Sequence, residues 1–410
     1  MPLIGALPAD LVYLGSQTIG NLARGLVYTV LAVYYVTVVG LDPLQLVLVG
    51  TILEGTILLL EVPTGVLADV FNRKHTIVAG RMLVGLAFIA QALVPRFELI
   101  LIAEALRAVG ESCLSGATQA WLADEVGEAR VGGLFMRAAQ LRIAGYLIGI
   151  GCSVTLASTQ LQLPILVGGG LTIGTAGLLA VGMPERRQFY GAGTGARMAI
   201  RPSGWRTFTE AIALIRSRPV LGVLLGVSLS IGAASEGLDR LWEAHLLRTF
   251  VFPSLGQLQP IVWFGIIQAG GLLLGIGAVQ AIRGVDTTNH RALARSLRLV
   301  QIVQVASTAV FAFATNFPLA VLALWSSRAV SQASQPLYDT WLTRSAPSHV
   351  RATIISAASQ ANALGQVLGG PVVGTIGRLV SLSVALLAAG LLLLPSVGLL
   401  TRSHTLADPD

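Results

Sequence analysis

Residues 143–183 read IAGYLIGIGCSVTLASTQLQLPILVGGGLTIGTAGLLAVGM, with no charged side chain between Arg142 and Glu185. A helix needs about 20 mostly apolar residues to cross the hydrocarbon core. The run is therefore long enough for two crossings, with Gln160-Leu161-Gln162-Leu163-Pro164 as the turn between them. Backbone in lipid must satisfy its own hydrogen bonds, which makes such runs helical, and the alternating short strands of a membrane barrel are not what this stretch shows. Leu379 to Leu400 is a second charge-free run. Composition extends the reading to the whole chain: of 410 residues 54% are hydrophobic and 11% charged, against about 25% charged in soluble domains. A mean hydropathy of +0.75 excludes a soluble multidomain protein.

Twelve spans would use about 34 residues each, a helix and a short loop. The apolar segments fall at 11–39, 43–68, 75–95, 97–122, 134–159, 164–184, 219–248, 257–282, 293–315, 317–342, 350–377 and 379–401. One long polar segment, 185–218, separates the first six from the last six. It opens with the flexible Gly191-Ala192-Gly193-Thr194-Gly195 and carries Arg186, Arg187, Arg197, Arg201, Arg206, Arg216 and Arg218. Trp205, Phe208, Ile212 and Ile215 recur there at helical spacing, predicting an amphipathic helix on the membrane surface. The expected fold is an all-α integral membrane protein with 12 transmembrane helices in two pseudo-symmetric six-helix bundles, 1–184 and 219–410, joined by the linker 185–218.

The net charge of +7 comes almost wholly from arginine, Lys74 being the only lysine. The arginines stand singly between apolar runs, which excludes a nucleic-acid surface. With both termini inside, the inner loops hold Arg73, Lys74, Arg130, Arg137, Arg283, Arg291, Arg295, Arg344, Arg351, Arg402 and the linker arginines, and the outer ends only Arg96, Arg248 and Arg378. The positive-inside rule selects that orientation, predicting a multi-pass inner (plasma) membrane protein with cytoplasmic N- and C-termini. Met1-Pro2-Leu3, with Asp10 and no basic stretch, does not read as a cleaved signal peptide. Cys113 and Cys152 lie within predicted helices and indicate no disulfide framework.

The halves resemble each other. Trp121-Leu122, Gln140, Gly145 and Gly149 recur at an offset of 220 as Trp341-Leu342, Gln360, Gly365 and Gly369. Arg107-Ala108-Val109 recurs as Arg328-Ala329-Val330, and Ile19-Gly20 with Gly25-Leu26 as Ile231-Gly232 with Gly237-Leu238. A duplicated six-helix unit follows, and such parallel repeats place the substrate site at their interface near the midplane.

After the second span stands Gly65-Val66-Leu67-Ala68-Asp69-Val70-Phe71-Asn72-Arg73-Lys74. This resembles the signature loop of the major facilitator superfamily, Gly-x-Leu-Ala-Asp-Arg-x-Gly-Arg-Lys/Arg, with Val70 and Asn72 departing from it. The resemblance implies secondary transport by alternating access, with Gly65, Asp69, Arg73, Lys74 and Asp124 as a conformational switch. Asp69 at a helix end can meet the N-terminus of another helix, and Arg73 can pair with Asp124 or Glu125. Arg107-Ala108-Val109-Gly110 is similar to the superfamily's Arg-x-x-x-Gly pattern in the fourth span, one residue short.

Intramembrane charges are costly and mark functional sites. Arg24, Glu54, Arg107, Glu236, Asp239, Arg240 and Arg328 fall at mid-span and are the candidate substrate and coupling residues. Arg81, Arg142, Glu104 and Glu111 read as paired structural charges. The superfamily's first and seventh helices line its cavity, and Arg24 aligns with Glu236 in the repeat. A carboxylate in a low-dielectric cavity holds its proton more tightly, and a nearby arginine opposes this, so Glu54 and Glu236 are candidate proton carriers. The leading expectation is proton-coupled efflux of small amphipathic compounds by an antiporter, resembling the superfamily's multidrug members. The glycine- and proline-rich motif that those members carry in the fifth span stands here in the eleventh, at Gly365-x-x-x-Gly369-Gly370-Pro371, which leaves direction open. Uptake of a small solute, an anionic one being suggested by Arg24, Arg107 and Arg328, is the first alternative. A ligand-sensing or lipid-moving protein without ion coupling is the second.

The scattered histidines show no metal spacing, and no phosphate-binding Gly-x-x-x-x-Gly-Lys-Ser/Thr loop is present. The expected protein is not an enzyme. It uses no cofactor or metal, and its partners are a small-molecule substrate, protons and the lipid bilayer, with a monomer as the working state.

Overall fold

The computed structural model describes residues 7–70, 72–184, 213–254 and 259–406, with side chains described except at 61–70 and 402–406. Most of the linker, including Trp205, Phe208 and Ile212, lies outside the described residues. The described residues are helical with no strand. The first span is α1 (Ala9–Tyr28), continued by α2 (Leu31–Tyr34) and a π-helical turn, Tyr35–Val39. Then come α3 (Pro43–Val70), α4 (Arg73–Leu93), the broken fourth span α5 (Phe97–Leu114) and α6 (Ala117–Val126), α7 (Glu128–Ala157) and α8 (Leu163–Gly182). The second half has α9 (Pro219–Thr249), α10 (Ile261–Ala281), α11 (His290–Ala312), α12 (Phe317–Ser345), α13 (Arg351–Leu379) and a broken last span, α14 (Leu382–Leu391) and α15 (Leu394–Leu406). Each span expected from the hydropathy pattern has its helical segment.

Helix ends follow local chemistry. Asp42 and Gln45 form a reciprocal capping box at the start of α3, each side chain accepting from the other's backbone N–H at 2.9 and 3.0 Å. Asn72, Asn289, Asn316 and Ser381 cap α4, α11, α12 and α14 through their side-chain oxygens. The fourth span breaks at Gly116, whose φ of +75° only glycine adopts readily. A second left-handed glycine, Gly127 at +80°, sets off α7 at Glu128, six residues before the expected 134.

Among the described residues, eight helices are long and apolar enough to cross a membrane. α5, α11, α12 and α13 are not among them, and these carry Glu104, Arg107, Glu111, Gln301 and Arg328. Their polarity is sequestered: Glu104, Arg107 and Gln301 are buried, while Ile102, Leu178, Val181 and Leu322 are exposed on helix surfaces. Apolar outside and polar inside is the arrangement a lipid solvent requires.

The chain forms two compact units. One comprises 1–41, 56–199 and 255–265, the other 42–55, 200–254 and 266–410. In the first unit α1 packs on α7 with Gly25 against Gly149 and Gly145 against the carbonyl of Thr18. In the second, α9 packs on α13 with Gly369 against Ala233 and Gly365 against the carbonyl of Leu229. The recurring glycines are thus the same helix–helix seam built twice, where a missing side chain lets backbones approach. The recurring Trp-Leu dipeptides are the matching cores. Trp121 and Leu122 cluster with Ile77, Leu179 and Met183, and Trp341 and Leu342 with Leu293, Leu297 and Leu400. Leu214 and Ile215, at the end of the linker, pack against the second core.

Candidate solute and coupling site

In the first unit, α4 starts at a knot of polar contacts. The Arg73 guanidinium pairs with the Asp124 carboxylate at the end of α6. The Lys74 ammonium donates to the carbonyl of Met183 at 3.0 Å, and the Trp121 indole N–H to that of Pro184 at 3.3 Å. The ends of the third, fourth and sixth spans are therefore tied together. Of the other expected switch residues, Gly65 and Asp69 lie on α3, and the side chain of Asp69 is outside the described ones.

Deeper in the same unit is a buried network. Arg107 donates to Glu104 through Nε at 3.0 Å and Nη2 at 2.5 Å, and through Nη1 to the Tyr28 hydroxyl at 2.9 Å. Its guanidinium also lies over the rings of Tyr28 and Phe88, at 5.8 Å from each centroid. The second oxygen of Glu104 accepts from the Gln91 amide at 2.8 Å, and Gln91 in turn accepts from the Tyr35 hydroxyl at 2.7 Å. One turn along α1 from Tyr28, Arg24 donates to both oxygens of Glu111 at 3.1 and 3.2 Å. Two arginines thus link the first span to the fourth. Arg81 on α4 lies against Gly20, which has no side chain to block it.

The second unit repeats the scheme with other residues. Arg328 on α12 lies 3.6 Å from Asp239 and 5.0 Å from the ring centroid of Trp242, both on α9. Arg240 donates to Glu236, one turn back, at 3.0 Å. That pair rests on Gly50 of α3, where a Cβ would collide with both side chains. Glu54 is one turn beyond Gly50 on the same helix face and bears electrostatically on Glu236. Glu243 is buried, with one carboxylate oxygen lacking a hydrogen-bond partner among the described residues.

Each candidate from the sequence thus has a definite neighbour. Arg24 and Glu236, aligned in the repeat, are each partnered within their own unit, by Glu111 and Arg240. Reading the sequence missed the participation of Tyr28, Tyr35 and Gln91, and treated Glu104 and Glu111 only as structural charges. The i, i+3 spacing of Glu104 and Arg107 was a visible signal, whereas Gln91 gave none beyond being polar in an apolar run. No group of three or more potential metal ligands occurs among the described residues.

The sequence profile of the Major Facilitator Superfamily matches residues 14–370. An uncharacterized MFS-type transporter, YxaM of Bacillus subtilis (strain 168), is 22% identical over 402 residues, covering 97% of either chain. Among solved structures, a variant of the nucleoside transporter NupG superposes with a TM-score of 0.79 at 13% identity over 98% of this chain and 100% of its own. A bacterial homolog of the human lysosomal transporter Spinster, inward-facing and unoccupied, gives 0.71 at 14% identity, over 97% and 95%.

Proposed function

The chain belongs to the Major Facilitator Superfamily, and from that premise we propose that it is a proton-coupled secondary transporter of small amphipathic organic solutes, working outward across the plasma membrane. Transport of small solutes through a membrane is what the family does, and the chain is not an enzyme. The observation that carries the finer reading is the charge placed at mid-span in each unit. An arginine on the fourth helix of each half, Arg107 or Arg328, reaches the first helix of that half, and Glu236, held by Arg240, bears on a further acid, Glu54. The buried members of these clusters, Arg107, Glu104 and Glu236, cost too much to serve anchoring alone when apolar packing would anchor as well.

Glu54 and Glu236 are the proposed proton carriers. A carboxylate held by Arg240 beside a second carboxylate changes its proton affinity whenever the arginine is drawn away, and a solute competing for the arginine does that. The pair Arg73–Asp124, with Gly65, Asp69 and Lys74, is the proposed latch of one closed state. The chain acts as a monomer with both termini in the cytoplasm.

The test uses an efflux-deficient bacterium and proteoliposomes. Wild-type protein is expected to raise resistance to a set of toxic amphipathic compounds, and Asp69→Asn and Glu54→Gln, equally expressed, are not. In proteoliposomes Glu54→Gln and Glu236→Gln should abolish uphill transport driven by a pH gradient yet spare exchange. Uphill transport persisting in both variants would sink proton coupling, and increased sensitivity of the cells would reverse the direction to uptake.

A further inference from the structure

Among the described residues, Arg81 is the one buried arginine of the first unit for which no hydrogen-bond acceptor or ion-pair partner is present. It is 9% exposed and its Nε is buried without a hydrogen-bond partner among the described residues. A buried guanidinium N–H left unsatisfied is expensive, and the expense falls when an anion supplies the missing acceptor. The guanidinium of Arg81 sits directly over Gly20: its Nη1 would lie 2.5 Å from a Cβ at residue 20, so a side chain there would have to push the guanidinium from its present place. Residue 20 and Arg24 are one helical turn apart on the same face of α1, so two guanidinium groups converge on one stretch of helix. Arg24 uses a single nitrogen, Nη2, on both oxygens of Glu111, leaving its remaining N–H groups directed elsewhere. Among the described residues, Arg24, Arg81 and Arg107 gather around this point with two carboxylates, Glu104 and Glu111, one fewer than the cations. Arg24 is 40% exposed and Glu111 23%, so the cluster is open on the Arg24 side and closed behind Arg81.

We infer that Arg81 and Arg24 form a binding site for the oxyanion group, a carboxylate or a phosphate, of a small organic solute. The anion bridges the two guanidinium groups and competes with Glu111 for Arg24. This rests on the transport reading for what delivers the solute, but not on its direction or its coupling ion.

The test is a thermal-shift titration of the purified full-length protein with benzoate, phenyl phosphate and, as cation control, benzylamine. One or both anions should stabilise the protein saturably, and the cation should not. Arg81→Gln should weaken the apparent affinity about tenfold or more, the loss expected for a charge-assisted hydrogen bond. Gly20→Ala keeps the arginine but pushes aside the far end of its flexible side chain, so it should weaken binding similarly in a folded protein. Glu111→Gln removes the competitor and should tighten binding, a result that a purely structural role for these residues does not produce. Equal affinities in the wild type, Arg81→Gln and Gly20→Ala would overturn the inference, as would the absence of any saturable anion effect. A headgroup site is distinguished in nanodiscs: stabilisation by phosphatidylglycerol that depends on Arg81, without any effect of the soluble anions, would equally overturn it. Should the anions bind while the two glutamate variants still transport uphill, proton coupling fails and the anion site stands.

Discussion

Arg107 and Glu104 are 4% and 1% exposed, and at that burial the partners matter more than the bond between them. The attraction in a buried pair roughly offsets the cost of desolvating both ions, but deleting one partner strands the other. Arg107→Ala should therefore destabilise the protein by about 3–5 kcal/mol, seen as a large fall in detergent melting temperature. The double variant Arg107→Met with Glu104→Leu should recover much of that loss. A double variant as unstable as the single one would refute the pairing. Arg328 is the contrast: its partner Asp239 is half exposed at 3.6 Å, and exposed pairs contribute about 0–1 kcal/mol. Asp239→Asn should cost little stability, so any transport defect it shows in the same preparations belongs to function. The depth of Arg107 can be read from its place within a hydrophobic run. The bridge through Gln91 to Tyr35 cannot, because it joins residues on the first, third and fourth spans.

At the scale of elements, two seams hold the units: α1 on α7 and α9 on α13. A Cβ at Gly149 would meet the carbonyl of Leu22 and one at Gly365 that of Leu229, and backbone cannot step aside as a side chain can. Gly149→Ala and Gly365→Ala should each force the helices apart and lower the yield of folded, monodisperse protein severely. Gly151→Ala and Gly174→Ala meet nothing within 4 Å and should be neutral, or stabilising by up to about 1 kcal/mol because alanine favours the helix. Size-exclusion profiles and melting temperatures of the four variants decide it; a uniform response would mean that the seams are not what the glycines serve. The pairing of Gly145 and Gly149 with Gly365 and Gly369 was legible as a constant offset. Which helix each faces was not, since a stripe of small residues marks a close approach without naming the neighbour.

For the whole molecule, alternating access needs closed states held by contacts weak enough to break. The Arg73–Asp124 pair is partly exposed on both sides, which limits it to roughly 1 kcal/mol, or about fivefold in an equilibrium. Asp124→Arg should slow transport severalfold with little loss of stability, and the exchanged pair Arg73→Asp with Asp124→Arg should restore most of the rate. Transport as slow in the exchanged pair as in the single variant would remove the latch. The paired partner was readable as one of two acids, Asp124 or Glu125, because the end of the fourth span offers few others.

Hydropathy, arginine placement and a repeated motif determined the membrane class, the order of the spans and the duplication, because a bilayer imposes length and apolarity on each crossing independently of its neighbours. Those signals are local or periodic and survive in one dimension. The partners were decided only in the tertiary structure: Glu111 for Arg24, Gln91 and Tyr28 for the Glu104–Arg107 pair, Gly50 beneath Glu236 and Arg240, and Gly20 beneath Arg81. Each such contact brings together helices distant in the chain, or depends on which face a helix turns inward, and in a span apolar on nearly every side no periodicity records that choice.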